Sequence, residues 1–252
     1  MRKALTLAAV AVALCFSQGV KAQTNFQTFY DFSKDRGYVT TTLEGFHQDN
    51  YGNTFFFIDY DYKNINANGR NVSPNGTYFE IARCLNFWQD TELAPLSIQV
   101  EYNGGVYNAY NINNAFLFGV DYFLHSSDFK NTLNLKVLGK YIVYDDKDTH
   151  SKVPLQFTAV WGMQDLFGVK GLRFSGFADF WWQEHTVFPY EDKDYNYLKG
   201  EVSHVVFLSE PQIWYNCGTE HFNIGGELEL SYDFGSSRGF WARPCLGFKW
   251  VF

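Results

Sequence analysis

Charged and aromatic side chains recur in this sequence two residues apart, and that spacing decides what they can do together. In Asn53-Thr54-Phe55-Phe56-Phe57-Ile58-Asp59-Tyr60-Asp61, the residues Phe55, Phe57, Asp59 and Asp61 share one parity, while Phe56, Ile58 and Tyr60 share the other. Alternate residues of an extended chain point to opposite faces. One face thus carries flat rings beside carboxylates. Glu44 with Phe46, Asp179 with Trp181, and Glu210 near Trp214 repeat the combination. Rings offer stacking, worth about 1–3 kcal/mol for a nucleobase, and carboxylates accept hydrogen bonds from hydroxyl groups. Together they suit a solute with an aromatic base and a hydroxylated sugar, or another small polar molecule.

The same face carries further charge. Its other acids are Glu80, Glu101, Asp121, Glu227 and Glu229, and its cations are Lys136, Lys140, Arg173, Arg243 and Lys249. The candidate solute-binding set is therefore Glu44, Phe46, Phe55, Phe57, Asp59, Glu80, Glu101, Asp121, Lys136, Lys140, Arg173, Asp179, Trp181 and Arg243. Mutual pairing inside a narrow interior is the structural alternative for each charge. Catalysis has less support. His47, His125, His150, His185, His204 and His221 show no spacing with a serine that suggests nucleophile and base, although such sites are recognised by geometry and not by order. His125-Ser126-Ser127 reads as a turn. No close pair of metal ligands falls on one strand face, so neither metal nor cofactor is expected.

The elements that must position these residues are strands. Runs of period-two alternation occupy 24–32, 38–49, 53–62, 76–87, 96–105, 113–124, 131–144, 154–164, 171–184, 202–216, 222–234 and 240–252, separated by Gly, Asn, Asp and Pro clusters. Most have the nine or more residues that a tilted strand needs to cross a bilayer, whereas soluble strands are nearer five or six. Twelve is an even number, as a closed antiparallel barrel without unpaired edges requires. Pro211 and Pro244 fall inside two runs and predict a bulge or an early end there. The polar stretches 63–75, 145–153 and 189–200 read as long external loops, and 48–52 as a tight turn.

Aromatic residues make up 20% of the chain, yet its mean hydropathy is −0.26. After Ala22 no stretch is long and apolar enough for a spanning helix. A greasy outside with a wet inside reconciles these observations, although a soluble β-sandwich would also alternate. Export is written at the N-terminus: Arg2 and Lys3, an apolar run over 4–16, then Val20-Lys21-Ala22, a small-residue cleavage site. A lipoprotein anchor at Cys15 is disfavoured by the bulky Leu14 before it. The expected organisation is a signal peptide over 1–22 and one barrel over 23–252. Removing Arg2, Lys3 and Lys21 from the 20 cations leaves 17 against 27 acids, a formal charge of −10. Nucleic acid is thereby excluded as a partner, since phosphate binding needs clustered Lys and Arg. Cys84, Cys217 and Cys245 remain, an odd count that permits one disulfide at most.

The last run adds a specific signal. Leu246, Phe248, Trp250 and Phe252 share a face opposite Arg243 and Lys249. A terminal Phe with aromatics two and four places earlier resembles the signal by which the barrel-assembly machinery recognises outer-membrane proteins. With the signal peptide, it points to a barrel in the lipid of a Gram-negative outer membrane. Leu43-Glu44-Gly45-Phe46, the run from Gly52 to Tyr60, Tyr78-Phe79-Glu80-Ile81, Asp165-Leu166-Phe167-Gly168 ahead of Leu172–Phe180, and the aromatic C-terminus resemble the Tsx-like nucleoside-specific channels. Loops and several lumen positions differ, which places the chain in a separate branch of that family. The resemblance implies a monomeric barrel of twelve strands that passes nucleosides and deoxynucleosides by passive diffusion. It marks Glu44, Phe46, Phe55, Phe57, Asp59 and Glu80 as lumen residues. A plugged barrel with a structural or surface-interaction role is the alternative, and a barrel-embedded hydrolase is a further one.

Overall fold

The computed structural model describes residues 22–63, 73–108, 111–144, 151–189, 200–219 and 221–252. Residues 1–21 of the expected signal peptide, His150 and most of the three long polar loops lie outside the described residues, while Ala22 opens the first strand. Strand segments run in chain order as β1 (Ala22–Asp31), β2 (Val39–Asp49), β3 (Gly52–Tyr62), β4 (Pro74–Leu85), β5 (Leu96–Tyr107), β6 (Asn111–His125) and β7 (Asn131–Val143). They continue as β8 (Leu155–Gln164), β9 (Leu172–Val187), β10 (Glu201–Ser209), β11 (Gln212–Asn216), β12 (Phe222–Tyr232) and β13 (Phe240–Val251).

Each segment pairs antiparallel with its neighbour, and β13 returns to β1 through Asn25↔Val251 to Asp31↔Cys245. The sheet has no free edge. β10 and β11 are two parts of one strand, because both pair with β9 and with β12. Pairing leaves off at Ser209↔Leu230 and resumes at Gln212↔Glu227 without an inserted residue. The result is a closed antiparallel barrel of twelve strands, the tenth interrupted at Glu210-Pro211.

Pro211 thus produces the break expected from its missing N–H, but Pro244 does not. β13 runs through Pro244 with its register to β12 unshifted at Leu228↔Pro244. The ladder to β1 ends one residue away, at Asp31↔Cys245, and the Pro244 carbonyl accepts from Phe32 N–H beyond it. The absent N–H falls where that ladder has already stopped, so no bulge is needed.

Which face meets the core decides between a soluble and a membrane fold. Here the apolar face is the exposed one: Phe116, Phe118, Val120, Tyr122 and Leu124 of β6, Leu135, Val137 and Tyr141 of β7, and Leu246, Phe248 and Trp250 of β13 all lie open on the outside. The polar face is buried, with Gln27, Gln99, Asp121, Asn223, Ser231 and Arg243 nearly inaccessible. A soluble sandwich would invert this arrangement. An apolar belt around a closed barrel with a polar interior is the solution for crossing lipid with strands, since every backbone group must find a partner inside the sheet. The protein is a transmembrane barrel of the Gram-negative outer membrane. Aromatic pairs such as Phe222–Phe248, with centroids 5.8 Å apart, and His221–Trp250, at 5.5 Å, sit at the rim where β1 begins and β13 ends. That rim has the shorter connections on the whole, Asn50–Tyr51 among them, and is the periplasmic one.

A lysine at the centre of β6 tests the belt. Phe118→Lys should lower unfolding stability in lipid vesicles by about 2–4 kcal/mol, the cost of a cation at mid-bilayer. Denaturant titration measures it; an unchanged midpoint would mean that this face does not meet lipid.

Candidate functional site

Directly opposed residues of an antiparallel pair share a face, so the register locates every inward side chain. Glu44 lies opposite Phe57, Phe46 opposite Phe55 and Thr42 opposite Asp59. Phe57 in turn lies opposite Glu80, and Asp59 opposite Tyr78. These strands form an acidic and aromatic wall of the lumen. Ring centroids are 6.0 Å apart for Phe55–Phe57 and 5.6 Å for Phe57–Tyr78. The carboxylates beside them are held by neutral donors. Asn25 Nδ2 donates to Glu44 at 2.7 Å, Thr42 Oγ1 to Asp59 at 2.5 Å, and Tyr78 to Glu80 at 3.3 Å. Phe46 stands near the periplasmic rim and is more exposed than the others.

A second group lies further around the lumen. Glu101 opposes Leu117, Leu117 opposes Lys140, and Asp121 opposes Lys136. Asp179 opposes Thr158, and Trp181 opposes Gln156. The Lys140 ammonium lies 3.9 Å from the centre of the Trp181 ring and donates to Gln156 at 3.1 Å. Asn134 Nδ2 donates to both Asp121 oxygens, at 3.0 and 2.8 Å, and Gln99 donates to Glu101 at 2.7 Å. Lys136 and Lys140 lie close enough to Glu80, Glu101 and Asp179 to interact through space.

The other two candidates stand apart, at opposite ends. Arg243 is fully enclosed near the extracellular end. Its guanidinium meets Glu229 at 2.6 Å, Asp35 at 2.9 Å and Ser231 at 3.1 Å. Asp35 belongs to the connection between β1 and β2, residues 32–38, which folds into the lumen. Arg36 of the same connection reaches Glu229 at 2.7 Å and Asp31 at 3.4 Å. Burial opposes the charge of Arg36, but the facing Glu229, with Tyr38 and Asp31, holds it more firmly protonated than a free arginine. Gly37, at φ 58°, supplies the left-handed turn that brings the chain back to β2. Two arginines and three carboxylates thus tie a loop across the extracellular half.

Arg173 lies near the periplasmic end, opposite Trp214 on β11. A cavity of about 190 Å³ opens there, lined by Asn25, Glu44, Arg173, Trp214, Asn223 and Lys249 among others. Trp214 is buried between Phe29, at 5.6 Å between ring centroids, and the Lys249 ammonium, at 4.5 Å. Its Nε1 donates to Gln212 at 2.9 Å.

The register thus places all fourteen candidates on the inner face, but in four groups and not in one site. Asp35 and Arg36 escaped the sequence reading because a seven-residue polar loop gives no periodicity from which to infer that it folds inward. Cys84, Cys217 and Cys245 are all free thiols. His125 stacks on Phe129 with centroids 3.9 Å apart, in the turn after β6. Among the described residues no three of His, Cys, Asp and Glu gather as metal ligands.

Comparison with known proteins adds a family. The family model described as "Domain of unknown function (DUF5020)" matches residues 17–252, nearly the whole chain. The chain belongs to this DUF5020 family. No curated protein matches it. Among solved structures it is similar to a KdgM porin, with 10% identity, 91% of this chain and 99% of that one covered, and a TM-score of 0.48. It is also similar to the COG4313 outer membrane channel from Pseudomonas putida F1 (11% identity, 94% and 97% covered, TM-score 0.44). A third is a BenF-like porin from Pseudomonas fluorescens Pf-5 (8% identity, 94% and 99% covered, TM-score 0.42). Resemblances this remote bear on neither solute nor mechanism, and the family description names no solute.

Proposed function

We propose that this DUF5020 protein is an outer-membrane channel for passive diffusion of small polar solutes, with nucleosides as the class its lumen wall fits best. The observation that carries the reading is the ring ladder Phe55–Phe57–Tyr78 set among Glu44, Asp59 and Glu80. A flat base lies on such a ladder while the carboxylates accept hydrogen bonds from the sugar hydroxyls. The solute-binding role extends to Glu101, Asp121, Lys136, Lys140, Asp179 and Trp181 as a polar lining that replaces hydration water. Individually weak contacts are what passage needs, because a solute that binds tightly does not leave. No energy source is required, and a single chain with a closed barrel suffices.

Single-channel conductance of the refolded protein in a planar bilayer, with adenosine titrated in, tests the reading. Small conductance steps that nucleoside blocks are the expected result. Phe57→Ala should weaken block about tenfold, the loss of roughly 1.4 kcal/mol of stacking, while the barrel stays folded. Equal block by the variant would remove Phe57 from the path. A second reading is favoured by the loop tied across the extracellular half: a barrel plugged by its own residues 32–38, with a role at the cell surface. Absence of conductance from folded protein selects that reading.

A further inference from the structure

We propose that Arg173 and Lys249 form a binding site for small organic anions, phosphate- or carboxylate-bearing, at the periplasmic mouth of the lumen. As a station on a diffusion path the site rests on the channel reading; as a binding site it stands independently of it.

The other lumen cations stand beside carboxylates. Arg36 and Arg243 share Glu229, Asp31 and Asp35 at ion-pair distances. Lys136 and Lys140 sit among Glu80, Glu101 and Asp179. Among the described residues, Arg173 and Lys249 make no ion pair, although both are only part-buried and both line the same cavity of about 190 Å³. Lys249 feels the charge of Glu44, then that of Arg173 and of Glu227, through space. Glu44, which lines the same cavity, offsets one of these two charges, and in a walled cleft the positive charge that remains attracts anions.

What holds Lys249 in place is a ring. Its ammonium stands 4.5 Å from the centre of Trp214, and Trp214 is itself fixed by Gln212 and Phe29. A cation–π contact orients an ammonium while leaving its charge and most of its N–H donors available. Arg173 adds a planar fork matched to two oxygens of a carboxylate or phosphate. Glu44 is the one carboxylate lining the cavity, and it is engaged by Asn25 across it. Asn223, next to Lys249 in the register, is buried with its Oδ1 unpartnered. That oxygen is an acceptor, so it suits a hydroxyl group of the ligand and not its anionic end.

Cavity size limits the ligand to a few heavy atoms within the site, so a headgroup-sized anion fits, and a larger solute would leave its remainder in the open mouth. Of the charged side chains in the lining, Arg173 and Lys249 come from β9 and β13, Lys130 is paired with Asp165, and Glu44 of β2 is the one carboxylate, which orders the bound anion toward the β9–β13 side.

Isothermal titration calorimetry on the refolded full chain in a neutral detergent tests the site, with inorganic phosphate and gluconate as separate probes. Saturable heat with one or both is expected; phosphate alone would assign a phosphoryl-bearing ligand, and both would assign a general anion site. Arg173→Gln with Lys249→Gln should weaken binding about tenfold or more, and each single change about threefold. Glu44→Gln should act in the opposite sense and tighten it, a change that a merely structural role would not produce. The heat-dependent electrophoretic shift reports folding, and the single variants with Glu44→Gln carry the test if the double variant does not fold. No saturable heat with either probe, or affinities unmoved by all the variants, overturns the proposal. Intact anion binding in a barrel that does not conduct would discard the channel reading and leave this one.

Discussion

Arg243→Ala should raise single-channel conductance and expose residues 32–38 to protease from the outside of the cell. Arg243 is 2% exposed and holds Glu229 and Asp35 together. Its removal leaves both carboxylates facing each other with Arg36 as the remaining guanidinium. Breaking a buried pair by deleting one partner costs about 3–5 kcal/mol when nothing else moves. The loop can avoid most of that cost by swinging out, because Asp35 and Arg36 are then hydrated. Release is therefore the lower-energy response, and trypsin should cut after Lys34 or Arg36 in whole cells that carry the variant. Arg243→Lys should give an intermediate result, since one ammonium cannot reproduce the fork that meets two carboxylates. Unchanged conductance and continued protection in Arg243→Ala would show that the loop is held by its backbone and not by the ion network.

Gly119→Ala should abolish efficient refolding, whereas Gly45→Ala should be tolerated. A Cβ on Gly119 would stand 2.0 Å from the Val137 carbonyl oxygen and 2.9 Å from the Leu138 Cα. Both are backbone atoms of β7, and retreat would pull apart the pairing of β6 with β7 around Gly119↔Leu138. The cost should exceed about 3 kcal/mol, the upper end of ordinary overpacking. At Gly45 the intruding atoms, 2.3 and 2.6 Å away, are the outer carbons of the Phe56 ring. That ring faces lipid and can turn aside. The folded fraction after refolding into vesicles, read by the electrophoretic shift, compares the two; similar yields would refute the distinction between backbone and side-chain contact.

The strand pattern was legible because alternation in this chain is nearly uninterrupted. Runs such as 131–144 and 222–234 differ from β7 and β12 by a residue or two at their ends, and the lumen parity of Lys136, Asp179 and Glu229 follows from counting by twos. What alternation cannot say is which face is wet: the same pattern in Leu228-Glu229-Leu230 serves a soluble sheet. Strand length, the expected leader and the aromatic C-terminus pointed to the wet inside, and the exposed belt agrees with it. Pro244 shows the limit in another way. A residue-level rule asked for a bulge, but the neighbouring ladder ends one residue earlier, a fact of register that no local window contains. The grouping of the inward residues was equally hidden. Arg173, Arg243 and Lys140 share the inner face, yet height along the barrel and the inward loop give them different partners.

The seam between β1 and β13 has a temporal consequence. Asn25 meets Val251 across it, so the earliest and latest strands to leave a ribosome or a translocation pore must find each other before any of the wall is sealed. Until then the growing sheet has two raw margins, each a template for adding a foreign strand. Pairings this distant in sequence make for slow folding and a long exposure to aggregation. A fault anywhere in β13 should therefore strand the whole molecule as an open sheet.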